Sequence, residues 1–419
     1  MTRLLFLLAA GSVLALTSAA QAQLDDGVPS DSNLFETVID LPGDPTPAFN
    51  VPLGDNTGAT LTQININAGS DVTTGRMYSF CEVNFFAPTE ATSGSQNANY
   101  VNSEVNLING NLGLGAMIGP NSNLNLTSGT ISNGSTINGV ANASGGRFNN
   151  FTTIGGTLNL TGDAILANTS TVASGGIVNA SDDAGVMGIT LETGAALNLN
   201  GSAMLGPSDI AGIANLSGGS HTGFFDVEDG GVLNLMDGAE LGTGELDIEA
   251  GGTINHSGGN LGFNTDVQSG GVLNISGGSF GASIGFADLD VEAGGTVNFT
   301  GSEFLLGGEP ISGLAGGTTV IITTPDVLTG TLLDGSPVEF NLNPGGNDDF
   351  AFGSIVTVTL PLLGDVNLDG DVDFSDISPF ITLLTTGAFQ AEADINQSGI
   401  VDFSDIAPFI SILSGASTP

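Results

Sequence analysis

The sequence is poor in cations and in sulfur: it has no lysine, three arginines, two histidines and one cysteine against 44 acidic residues, and no tryptophan. Each shortage excludes something. So few cations leave nothing to neutralise phosphates, and nucleic acid and anionic lipid are repelled. A lone cysteine, Cys81, rules out an internal disulfide and reads as a small buried hydrophobe. With Trp absent and Tyr confined to Tyr78 and Tyr100, the aromatics that usually stack on sugars or bases are scarce, and the 23 phenylalanines read as core. Long apolar runs are missing too. The run from Leu4 to Leu16 is too short to span a bilayer, nothing later approaches the roughly 18 residues a transmembrane helix needs, and the C-terminal "ISILSGASTP" carries no lipidation or sorting signal.

What is present begins with a leader. Thr2 and Arg3, the apolar run and the small-residue stretch Ala20-Gln21-Ala22 predict a signal peptide over residues 1–22, cleaved before Gln23, and hence a secreted protein. Cleavage removes Arg3 and no acid, leaving 44 carboxylates against Arg76 and Arg147, a net charge of −42. Such a surface attracts divalent cations and stays soluble where salt screens its self-repulsion, so a saline, calcium-containing exterior suits it.

The middle of the chain repeats. "GGTLNL" at 155, "GGIVNA" at 175, "GAALNL" at 194, "GGVLNL" at 230, "GGTINH" at 251, "GGVLNI" at 270 and "GGTVNF" at 294 share one pattern. Its asparagine recurs as Asn106, Asn125, Asn142, Asn159, Asn179, Asn198, Asn215, Asn234, Asn255, Asn274 and Asn298, with weaker copies at Asn65 and Asn84. Each unit alternates apolar and polar residues, as in Leu246-Asp247-Ile248-Glu249, which predicts short half-buried strands between Gly-rich turns. One unit cannot bury its apolar face alone, whereas stacked coils share a continuous core. The fold expected is therefore mainly β: a solenoid of coils of about 19 residues over 61–308, an N-terminal cap over 23–60 and a β-rich cap or small β domain over 309–363. The repeats resemble those of secreted parallel β-helix proteins, including autotransporter-like passengers and polysaccharide lyases, over roughly residues 61 to 305. Their uneven spacing fits the tolerant turns of a right-handed β-helix better than a strict hexapeptide left-handed one.

Several coil residues invite a functional reading. Aligned units place Asp226, Asp247, Asp266 and Asp290 in one column and Glu228, Glu249, Gln268 and Glu292 in a second. Stacked like charges destabilise a sheet unless solvent, salt or a cation offsets them. The columns read as a solvated acidic face, with a cation-binding stripe as the functional alternative. The Asn column is expected outside or at a bend, its amides forming a hydrogen-bonded ladder that sets coil register. His221 and His256 lie in no motif and read as ordinary coil residues. Asp182-Asp183 is the one paired carboxylate in a coil; two acids can hydrolyse a glycoside, but adjacent strand residues point to opposite faces, so the pair reads as a solvated turn.

The C-terminus holds the most specific motif. "DVNLDGDVDFSD" at 365–376 recurs 29 residues later as "DINQSGIVDFSD" at 394–405. The offset continues beyond the loop, since Ile377, Phe380, Ile381 and Leu384 recur as Ile406, Phe409, Ile410 and Leu413, one face of a short helix in each copy. Pro379 and Pro408 predict that each helix starts late, with the proline in its first turn. The loop spacing is that of an EF-hand, with oxygen ligands from positions 1, 3, 5, 7 (carbonyl), 9 and 12. These are Asp365, Asn367, Asp369, the Asp371 carbonyl, Asp373 and Asp376, then Asp394, Asn396, Ser398, the Ile400 carbonyl, Asp402 and Asp405. Gly370 and Gly399 permit the sharp turn, and Val372 and Val401 at position 8 suit pairing of the two loops. Two Ca²⁺ sites follow, the second weaker because Ser398 replaces a carboxylate.

Two such loops with Asp at position 12, each followed by one helix and with no entering helix, resemble a type I dockerin over residues 364–414, leaving 415–419 as a tail. The resemblance implies a small α-helical domain that binds two calcium ions and plugs into a cohesin module, holding a secreted protein outside or on the surface of a bacterial cell. It points to Phe374, Ser375, Phe403 and Ser404 as partner contacts, while the basic helix residues common in cellulosomal members are absent. The function expected is that of a secreted, non-enzymatic structural or adhesion-type β-helix protein, anchored or assembled through this module, with a cohesin-like module and extracellular polysaccharide as partners. The alternative is a divergent polysaccharide hydrolase or lyase tethered the same way. Without lysine, the Arg-x-Lys pattern of polygalacturonase-like hydrolases cannot occur.

Overall fold

The computed structural model describes residues 39–41, 62–66, 77–79, 81–85, 99–108, 110–242, 244–262, 264–280, 288–344, 350–386, 390–396, 398 and 400–414. The expected signal peptide, the tail, and the N-terminal cap apart from strand Ile39–Leu41 lie outside them. The chain divides into two compact units, residues 1–198 with 202–205 and residues 199–201 with 206–419. Each contains parallel β-solenoid coils of about 19 residues.

In the first unit a coil is three short strands joined by turns. Thr136–Ile137, Val140–Ala143 and Arg147–Phe148 form one coil; Thr153–Ile154, Thr157–Leu160 and Ile165–Leu166 form the next, in parallel register with it. Alternation along each strand decides what is buried. Leu124, Ala141, Leu158 and Val178 lie at matched positions of successive coils, and all four are inaccessible to solvent. Each buried aliphatic side chain of this size contributes about 1.5–3 kcal/mol, with the smaller Ala141 below that range, and the column grows with every coil.

In the second unit the strands Ser208–Ile210, Phe225–Val227, Glu245–Ile248, Asn264–Val267 and Asp288–Val291 form one face. Ile213–Gly218, Val232–Met236, Thr253–Leu261, Val272–Phe280 and Thr296–Leu306 form another. The doubled glycine of the repeat has two distinct causes here. Gly230 has φ +79°, a left-handed conformation that side chains resist. At Gly231 a Cβ would run into the Ile210 carbonyl of the preceding coil.

The asparagine column forms the expected ladder. In the first unit each amide nitrogen donates to the preceding asparagine's oxygen: Asn125 to Asn106 at 2.8 Å, Asn142 to Asn125 at 3.3 Å, and then Asn159, Asn179 and Asn198 at 2.8 Å each. In the second unit Asn234, Asn255, Asn274 and Asn298 continue the same pattern from Asn215 at 2.7–2.8 Å, and the hydroxyl of Thr357 donates to Asn298 at 2.6 Å. Thr357 belongs to Ile355–Leu360, which pairs in parallel with Thr296–Thr300 as one more rung. Between these rungs the chain turns antiparallel: Val327–Leu332 pairs with Gly301–Leu306 and with Pro337–Asn341, and Thr318–Ile322 pairs with Ile355–Leu360.

Two helices close the chain, α1 at Ile377–Thr386 and α2 at Ile406–Leu413, each continuing from a 3₁₀ turn, Phe374–Asp376 or Phe403–Asp405. Both helices start two residues before their proline, which occupies the first turn, where a missing N–H costs no hydrogen bond. Their rings meet, Phe380 stacking on Phe409 at 4.2 Å, in a small core with Val366, Ala393, Ile395 and Val401. The buried faces run through Leu383 and Leu384 and through Ile412 and Leu413, which leaves Ile381 and Ile410 more than half exposed. No helix among the described residues is long and apolar enough to cross a membrane.

Candidate metal centres

The duplicated loops build two cradles with a repeated hydrogen-bond pattern. Position 1 folds over the turn: the Asp365 carboxylate accepts the backbone N–H groups of Asp369 at 3.0 Å and Gly370 at 2.9 Å. Gly370 has φ +94°, the conformation for which the sequence places a glycine there. Position 12 closes the loop, the Asp376 carboxylate accepting from Asn367 N–H at 2.9 Å and Asp373 N–H at 2.8 Å. The second loop repeats this with Asp394 accepting from Ser398 N–H at 2.9 Å, and Asp405 from Asn396 N–H at 3.0 Å and Asp402 N–H at 2.9 Å. At position 9, Asp373 caps the following turn by accepting Ser375 N–H at 2.7 Å, as Asp402 does for Ser404. The hydroxyl and N–H of that serine hold each carboxyl below its ordinary value.

Burial separates the predicted ligands. Asp365, Asp376, Asp394 and Asp405 are at most 5 % exposed. Asn367, Asp369, Asp371, Asp373, Asn396, Ser398 and Ile400 are exposed, and Asp402 is half-buried. No three carboxylates of a loop, among the described residues, lie within 4.8 Å of one another. Val372 lies over Gly364 while Val401 enters the core, and no β-bridge joins the two valines among the described residues. The donor set nevertheless fits a hard cation. Residues 364–414 contain nine acids and no lysine, arginine or histidine, so four buried carboxylates have no cationic side chain in their own module. The N–H groups they accept offset part of the cost of burying such charge, and each carboxylate keeps lone pairs beyond those N–H groups.

The second candidate is the acidic face of the solenoid. Parallel register stacks Asp209, Asp226, Asp247, Asp266 and Asp290. Asp209 extends the column expected from the repeats by one coil. Glu245, which the repeat alignment did not single out, comes within 4.8 Å of Asp247 and Asp266 through their carboxylate oxygens. Partial burial first, and then the neighbouring carboxylates Glu245, Asp266, Asp226 and Glu249, push Asp247 up to about 6; burial first, and then Asp209 and Glu249, raise Asp226 and Glu228. One oxygen of Asp247, Oδ1, is buried without a hydrogen-bond partner.

Asp182 occupies a turn at φ +57° and lies exposed, and Asp183 accepts the Ser202 hydroxyl at 2.9 Å. His221 and His256 are core residues with no exposed surface, both lowered by burial. Arg147 is exposed, and Arg76 lies outside the described residues. Comparison of the chain with protein-family models, with curated proteins and with solved structures finds no match.

Proposed function

We propose that this is a secreted, non-enzymatic solenoid protein attached or assembled through a calcium-loaded C-terminal module of the type I dockerin kind. One observation carries the reading: four almost fully buried carboxylates sit in a duplicated cradle within a module that contains no cationic side chain. Two Ca²⁺ ions held by Asp365, Asp369, Asp373 and Asp376 and by Asp394, Asp402 and Asp405, with Asn367, Asn396, Ser398 and the Asp371 and Ile400 carbonyls, supply the missing charge. The surface beside the loops suits a protein partner. Phe374 and Phe403 are each 79 % exposed at matching positions, with Ile381 and Ile410 also exposed, the kind of duplicated apolar patch that marks an interaction site. Ser375 and Ser404 lie next to these rings and are also exposed.

Calorimetric titration of the full chain with Ca²⁺ tests the metal, and retention on an immobilised cohesin-like module, with and without chelator, tests the partner. Binding heat abolished by Asp376→Ala together with Asp405→Ala is expected. The absence of heat, with a thermal midpoint indifferent to chelator, overturns the calcium reading.

An enzymatic reading is favoured by one feature only, Asp247, raised to about 6 beside Asp266 and Glu245. A carboxyl raised by burial beside other carboxylates is an arrangement that glycoside hydrolysis uses. Cleavage of a polysaccharide that disappears in Asp247→Asn would install that reading in place of the scaffold.

A further inference from the structure

The solenoid sheet of the second unit ends in a strand with a free side. Thr318–Ile322 pairs antiparallel with Ile355–Leu360, whose other side is taken by Thr296–Thr300, so among the described residues Thr318–Ile322 is the last rung. Alternate residues of such an edge point their N–H and C=O groups away from the one neighbouring strand. Natural edges are blunted by lysine, proline, inward charge or a bulge. This one has none of them: Thr318-Thr319-Val320-Ile321-Ile322 is five β-branched residues paired without a register shift.

The strand is held in place by its own hydroxyls. Thr318 donates from its hydroxyl to the Ala315 carbonyl at 2.6 Å and accepts the Ala315 N–H at 2.7 Å, which fixes the turn entering the strand. The Thr319 and Thr359 hydroxyls bond to each other at 2.8 Å across the pair. Thr319 and Ile321 face outward, Ile321 being 61 % exposed, while Val320 turns to the side of the buried Val358.

Charge decides what can lie against this edge. The chain carries a net −41, yet residues 311–325 and 350–364, which contain both strands, hold no charged side chain; the acids bounding the first segment are Glu309 and Asp326. A cationic partner is drawn to the stacked carboxylates of Asp209 to Asp290 instead. A strand bearing acids would bring unpaired carboxylates into the contact. A second copy of the same strand does neither, and it fits itself. Antiparallel pairing centred on Val320 sets that valine opposite its counterpart and Thr319 opposite Ile321 of the other copy, so β-branched side chains meet on both faces of the sheet.

We infer that Thr318–Ile322 is a docking edge for a second copy of this chain, the two strands joining antiparallel about a two-fold axis at Val320 so that one sheet runs through both molecules. A five-residue strand buries little surface, and the dimer belongs with the weak interfaces. The remainder of each acidic chain repels the other. Added salt therefore tightens the dimer, because it screens that repulsion and leaves the backbone hydrogen bonds in place. The calcium module takes no part in this contact.

Sedimentation equilibrium of the full chain at micromolar to millimolar concentration tests the edge. A monomer–dimer equilibrium is expected, tightening as salt rises from about 0.01 M to about 0.15 M and the Debye length falls from about 30 Å to about 8 Å. Ile321→Asp puts a carboxylate at a position the fold leaves in water; it should weaken the dimer roughly tenfold with the far-ultraviolet circular dichroism unchanged. Oxidation in a Cys81→Ser background reads the register. Val320→Cys should crosslink into a dimer, since directly paired residues bring their Cβ atoms within about 5.5 Å. Ile322→Cys should not, its counterpart lying roughly 13 Å away along the strands. A chain that stays monomeric at millimolar concentration in the higher salt overturns the proposal. So does a dimer that Ile321→Asp leaves intact, one lost instead in Phe374→Ser with Phe403→Ser, or crosslinking of Ile322→Cys as readily as of Val320→Cys.

Discussion

His256→Leu is expected to stabilise the protein, and more so as the solution is acidified. His256 stands between Leu235 and Ile275 of the neighbouring coils, fully buried, with Phe280 edge-on at 5.1 Å. Neither ring nitrogen has a hydrogen-bond partner, the adjacent Ser279 backbone falling short of bonding geometry. Burial lowers the imidazole from 6.5 to about 4, against small opposing pulls from that backbone and from the Asp334 carboxylate. Above pH 6.5 the ring is neutral in both the folded and the unfolded chain, and it makes no contribution to the pH dependence. As the pH falls from 6.5 towards 4 the unfolded chain takes up a proton that the folded chain refuses, and stability is lost. At about 1.4 kcal/mol for each tenfold in proton affinity, the full loss is about 3 kcal/mol.

Leucine matches its neighbours in the column and leaves no buried nitrogen unpaired, so at pH 7.5 the variant should already gain about 1–2 kcal/mol. The gap should widen to about 4–5 kcal/mol near pH 4. The raised carboxyls of Asp226, Glu228 and Asp247 shift stability with pH in the opposite sense, but they are common to both proteins and cancel in the difference. Because the chain has no tryptophan, urea midpoints are best followed by far-ultraviolet circular dichroism. A gap that stays constant between pH 7.5 and 4, or narrows, refutes the reasoning.

Three further outcomes are expected. Ser398→Asp places a carboxylate at position 5 and should tighten calcium roughly tenfold at the second proposed site; calorimetry showing no change would count against Ser398 as a ligand there. Asp247→Asn should stabilise by a few tenths of a kcal/mol above pH 6, where repulsion in the column is felt. Its gain should fade as the pH falls below 6 and the native aspartate becomes protonated, and a loss of stability in calcium buffer would instead identify the column as a cation holder. Asn159→Ala removes the bond donated to Asn142 and the one accepted from Asn179, costing about 1–2 kcal/mol; an unchanged thermal midpoint would show that the ladder follows coil register without helping to set it.

Much of this protein is legible along the chain because its physics is local and periodic. A period of about 19 residues, strict alternation in segments such as Leu246-Asp247-Ile248, and the paired glycines of many turns leave a stacked solenoid as the arrangement that buries the apolar column. The asparagine ladder follows from that period alone. The 29-residue offset likewise identifies both C-terminal cradles, since Asp365 and Asp376 must lie eleven positions apart to close one loop. Other features depend on neighbours that the sequence does not place side by side. Glu245 joins Asp247 and Asp266 through stacking across two coils, and His256 enters the core as one inward residue of an alternating strand. The apolar pattern of the last two helices assigns Ile381 and Ile410 to the buried face, but the crossing of two short helices around Phe380 and Phe409 has room for only part of it. Phe151 reads as one more core phenylalanine, but it is 61 % exposed. Sequence periodicity determined the stacking; which side chains meet, and which are left in water, was decided only by packing.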